Sequence, residues 1–144
     1  MNATTRTAVF GFIAAALSVL VAHQVMVLAL HLAGLIPNAP YSFRPNAWGV
    51  PILLNSIFWG GLWGIAFAFF AGKLPGDVWL RGLLAGWIGP LLLGNWIILP
   101  LIRGQAMFAG FDPLRMLIGA LIAGAFGIAW IYIYNAIVSR RAAA

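Results

Sequence analysis

Between Arg81 and Arg103 the chain runs for 21 residues without a charge. A bilayer core of about 30 Å needs about 20 residues of helix at about 1.5 Å each, so the length predicts a transmembrane helix. Within it Gly82, Gly86, Pro90 and Gly94 fall at every fourth position and form one small-sided ridge, with Asn95 beside it. Such a ridge lets a second backbone approach closely, which is the usual means of helix association in lipid.

Composition extends this reading to the whole chain. Of 144 residues, 64% are hydrophobic and 7% charged, with a mean hydropathy of +1.03; a soluble domain carries about 25% charge. One compact unit, residues 1–144, is the expected domain count. The formal charge of +6 does not point to nucleic acid, because the Lys and Arg residues sit at the ends of apolar runs rather than on one face. The absence of cysteine removes disulfides, thiolate metal sites and thiol nucleophiles.

Three further spans follow, and together the four predict an all-α, polytopic membrane protein with an antiparallel bundle of helices at about 8–36, 52–72, 78–102 and 113–138. Thr4, Thr5 or Thr7 is expected to cap the first. Its apolar run outlasts the core of a signal peptide, which favours an uncleaved helix. Pro37 to Pro51 holds four prolines and the interfacial aromatics Tyr41, Phe43 and Trp48, and reads as an ordered loop on the bilayer surface.

In the second span Gly60, Gly64, Ala68 and Gly72 make another small ridge, beside an aromatic stripe of Trp59, Trp63, Phe67 and Phe70. Asp77 and Asp112 open the third and fourth helices as caps, each within helical reach of an arginine, Arg81 and Arg115. Gly61–Ala66 echoes Gly124–Ala129, which is consistent either with a duplicated helical hairpin or with chance in so Gly- and Ala-rich a chain.

With both acids committed to helix starts, no carboxylate is left inside the spans for acid–base work or a proton relay. The chain therefore reads as non-enzymatic. The polar residues that remain within the spans are His23, Gln24, His31, Asn55, Ser56 and Asn95, with Asn135 apart at the other end. Polar groups are costly to leave unpaired in hydrocarbon. The six are therefore expected to converge in the half of the bundle under the Pro37–Pro51 loop, as a hydrogen-bonded core or a small ligand site. His23 and His31 lie roughly 12 Å apart along the helix, too far to share a metal. Haem would need a second chain, Met26 or Met107. No metal site and no cofactor are assigned.

Asn55–Gly64, Arg81–Gly86 and Asn95–Ile102 give the latter two-thirds of the chain a pattern that resembles small four-helix bacterial inner-membrane proteins of uncharacterised function. The resemblance implies the fold and an inner-membrane location, but no activity or ligand. Arg6, Lys73, Arg81, Arg140 and Arg141 fall on one side of the four spans, and Arg44, Arg103 and Arg115 on the other. The positive-inside rule then favours both termini in the cytoplasm. Besides the bilayer, the expected partner is another membrane protein or a second copy. The leading reading is an accessory or scaffold subunit that engages its partner through the small-residue faces. The alternative is a binding or transport module for a lipophilic molecule such as quinone, lipid or haem.

Overall fold

A computed structural model describes residues 1–142. Among these residues there are four long helices, a short 3-10 helix at Phe108–Phe111 and no strand beyond an isolated bridge between Pro45 and Pro51. The helices are α1 (Ala3–Leu32), α2 (Ile52–Lys73), α3 (Val78–Arg103) and α4 (Pro113–Ala142). Each is long and apolar enough to cross a membrane.

The ends of α1 depart from expectation for local reasons. Asn2, not a threonine, is the N-cap, accepting from the Thr5 N–H at 2.8 Å. The helix stops at Leu32 because Gly34 adopts a left-handed φ of 71°. Leu35 N then donates to Leu30 O and Gly34 N to His31 O, which occupies carbonyls the helix end would leave free. Asp112 caps α4 as expected, accepting from Leu114 N and Arg115 N, and pairs with Arg115 at 3.6 Å. Asp77 sits at the N-cap of α3 without a side-chain cap bond. It forms no ion pair with Arg81 among the described residues, and Arg81 Nε is enclosed without a partner.

Two helices are locally widened into π geometry. In α3 the segment is Trp87–Ile98 and contains Pro90, which has no N–H and whose ring crowds the preceding turn. The wider winding accommodates that break. In α1 the widened turn is Val19–His23.

Glycine ridges set the packing. A Cβ on Gly64 would collide with Ala15 and the Gly11 carbonyl, and one on Gly60 with Val19, so α1 and α2 touch backbone to backbone. In the second hairpin a Cβ on Gly82 would meet the Gly127 carbonyl, and one on Gly86 the Ala123 carbonyl. Both ridges are therefore used within the chain. The ridges do not extend through every expected member, because a Cβ on Gly72 would meet open space and one on Gly94 only ordinary contacts with Trp63 and the Gly89 carbonyl.

The two hairpins are built alike. One displacement along the chain carries Gly11 to Gly82, Ala15 to Gly86 and Val19 to Pro90; another carries Gly61 to Gly124 and Gly64 to Gly127. Gly64 meets Gly11 and Ala15, and Gly127 meets their counterparts Gly82 and Gly86. The widened turn Val19–His23 likewise maps inside the widened segment of α3.

The hairpins join along α1 and α4. There Ser18 Oγ donates to Phe126 O at 2.6 Å and Trp130 Nε1 to Gly11 O at 3.1 Å. Ser18 and Trp130 are fully enclosed, and Ala14, Ala15, Val19, Phe67 and Phe126 complete the core. The corresponding seam between α2 and α3 is thin: Gly89 abuts Phe67 and Trp63, and beyond that point the helices part. The residues equivalent to Ser18 and Trp130 are Gly89 and Phe67, and neither side chain has a donor to close it.

Candidate functional site

The parting of α2 and α3 leaves a cavity of about 500 Å³. Its walls are largely apolar, with Trp59, Leu62 and Trp63 from α2, Ile98 and Leu99 from α3, and Val19 and Phe126 at the back. His23 from α1, Asn55 and Ser56 from α2 and Asn95 from α3 supply the polar groups. Four of the six residues expected to converge therefore do so, in the half of the molecule nearer the 33–51 loop.

The other two lie elsewhere. The His31 Nδ1 hydrogen-bonds Ile36 O at 3.1 Å, which ties down the end of its own helix. Gln24 is buried and does not line the cavity, but it links His23 to the loop. Its Oε1 accepts from Tyr41 N at 2.7 Å and its Nε2 lies 3.3 Å from His23 Nδ1.

The polar groups differ in how far the protein satisfies them. Ser56 Oγ donates to Ile52 O of its own helix at 3.0 Å. Asn95 Nδ2 donates to Pro90 O at 2.9 Å, bonding a carbonyl of the widened segment, while its Oδ1 has no protein partner among the described residues. The Asn55 side chain has no hydrogen-bond partner among them. The His23 Nε2 has none either, and it is not sealed from the surroundings, since Arg81 Nε is the enclosed atom of that kind.

The loop forms one rim. Asn46 N donates to Val50 O and Ile52 N to Arg44 O, making a small hairpin, and Asn46 Oδ1 accepts from Trp48 N and Val50 N. Trp48 is carried at its tip to the cavity, where the Arg103 guanidinium lies 5.5 Å from its ring centre. The loop folds back as a small hairpin at this rim and does not lie flat over the helix ends. Tyr41, at φ 52°, donates through its hydroxyl to Leu20 O at 2.7 Å, on the widened turn of α1. That contact is more than two turns inside the end of the helix.

Trp48, Arg103, Val19 and Phe126 belong to the site, although the sequence marked Trp48 only as an interfacial aromatic and Arg103 only as a flanking charge. A proline within an uncharged span, followed five residues later by an asparagine, was the available signal for the widened wall of α3. The aromatic stripe of α2 also divides: Trp59 and Trp63 line the cavity, Phe67 packs against Trp130 at 5.2 Å, and Phe70 is exposed near Lys73.

The cavity presents neutral amides, an imidazole and a hydroxyl, with a guanidinium at its rim and no carboxylate. Among the described residues no three His, Cys, Asp or Glu side chains cluster as metal ligands. No family model, no curated protein and no solved structure matches the chain.

Proposed function

We propose that the chain is a non-enzymatic, multi-pass protein of a bacterial inner membrane that holds a lipophilic small molecule in the cleft between α2 and α3. The four helices form an antiparallel bundle across the bilayer with both termini in the cytoplasm. In support of that arrangement, Gly11 pairs with Gly64 while Val19 pairs with Gly60, and Gly82 pairs with Gly127 while Gly86 pairs with Ala123.

The observation that carries the functional reading is the combination of an apolar cavity of about 500 Å³ with the unpartnered Asn55 amide, His23 Nε2 and Asn95 Oδ1. The volume is within the range of small-molecule sites, about 300–1,000 Å³. Unpaired polar groups in hydrocarbon are costly, and a ligand with a polar head and an apolar body satisfies both parts of the site. The reading as an accessory subunit has less support, because the Gly60/Gly64 and Gly82/Gly86 faces that would receive a partner are occupied within the chain.

Purification in mild detergent, followed by solvent extraction and mass spectrometry, tests the proposal. A lipophile retained at close to one per chain supports it. Protein that is folded, monodisperse and free of any retained lipophile counts against it.

A further inference from the structure

We infer that the cleft selects a lipophile bearing an oxygen acceptor, such as a carbonyl, which takes a hydrogen bond from His23 Nε2. This rests on the reading of the cleft as a ligand site and concerns what the ligand must carry. The hydrogen bonds to Gln24 set the argument. Tyr41 N–H is a donor only, so the atom of Gln24 facing it at 2.7 Å is the amide oxygen. The amide nitrogen then faces His23 Nδ1 at 3.3 Å and donates to it. A ring that accepts at Nδ1 is neutral and carries its proton on Nε2; a protonated ring would set N–H against N–H.

His23 therefore offers the cavity a donor and no acceptor, and that donor has no protein partner among the described residues. Across the cleft, Asn95 has one amide hydrogen committed to Pro90 O and the other uncommitted. The absence of a carboxylate from the lining disfavours a cationic head. A hydroxyl can fill the place facing His23 Nε2 with its own proton turned to Asn95 Oδ1, and a carbonyl oxygen fills it by itself. Quinone rings and acyl esters both supply this group on an apolar body.

The test is native mass spectrometry of the intact chain in mild detergent, titrated with three probes of similar chain length: a decyl-substituted benzoquinone, monodecanoylglycerol and decylbenzene. At least one carbonyl probe is expected to bind about tenfold more tightly than decylbenzene, the size of one hydrogen bond. Which one does so separates the quinone from the ester. In His23→Leu that advantage should vanish while decylbenzene binding persists, which also reports an intact cleft. Trp79→Leu, on the exposed start of α3 and outside the lining, should leave all three unchanged. Equal wild-type binding of decylbenzene and both carbonyl probes would overturn the acceptor inference but leave the cleft as a lipophile site. An unchanged carbonyl advantage in His23→Leu would also overturn it. Failure of all three probes to bind would remove the ligand reading as well.

Discussion

Gly64 and Gly86 show how little room a single position leaves. A Cβ on Gly64 would overlap Ala15 and the Gly11 carbonyl, and one on Gly86 the Ala123 carbonyl. The atoms in the way are mostly backbone, so neither site relaxes by rotating a side chain. Gly64→Ile and Gly86→Ile should each destabilise the protein by about 2–3 kcal/mol, or prevent its assembly, whereas Leu92→Ile should cost less than about 1.5 kcal/mol. Thermal unfolding in one detergent measures all three, and equal midpoints would contradict the packing described. These glycines were legible in the sequence because a four-residue repeat of small residues has few other uses in an apolar helix. Ser18 was not: nothing in an apolar run separates a serine bonded to its own helix, like Ser56, from one that joins two helices. Trp130 was equally silent, since its value lies in reaching Gly11 O, a contact that exists only once the chain has folded.

At the scale of the element, α3 is a helix whose winding changes where Pro90 enters. Restoring an N–H with Pro90→Ala removes the cause of the break, so α3 should revert towards regular α geometry and draw its Asn95 side chain out of its present bond to Pro90 O. The expected result is thermal stability equal to or above the wild type with at least tenfold less retained lipophile. Undiminished retention would show that the widened winding does not shape the cleft. The four long apolar helices were readable from uncharged length alone, because a segment apolar enough for lipid has few alternatives to a helix. Their ends were less so, since Asn2 and Gly34 act through local hydrogen bonds that a residue count does not register. The loop's aromatics pointed to a surface position, but its descent along α1 depends on Tyr41 meeting Leu20 and Gln24. For the site, His23, Asn55, Ser56 and Asn95 were legible as polar groups within apolar helices, whereas the sequence did not show that Gln24 would bond the loop and His31 the end of its own helix.

For the whole molecule, two similarly built hairpins meet on one side and part on the other. The α1–α4 seam has two side-chain donors to backbone carbonyls, and the equivalent positions on α2 and α3 have none. The cleft opens between the two helices whose facing positions carry no such donors. The proposed topology follows from the charge count: an Asn2→Cys variant of this cysteine-free chain should resist a membrane-impermeant thiol reagent applied to intact cells, and Gln105→Cys should react. The reverse pattern would invert the orientation without moving the cleft. The claim on which the functional account rests is that the space between α2 and α3 is occupied by a lipophile. Gly94 is the position from which to test it, because it lines the cavity and a Cβ there meets Trp63 and the Gly89 carbonyl only at ordinary distances of 3.5 Å and more. Gly94→Phe should fill the cleft without breaking the bundle. The account predicts that lipophile extracted from this purified variant falls at least tenfold below wild type while thermal stability is maintained. Retention at the wild-type level in the folded variant would contradict it.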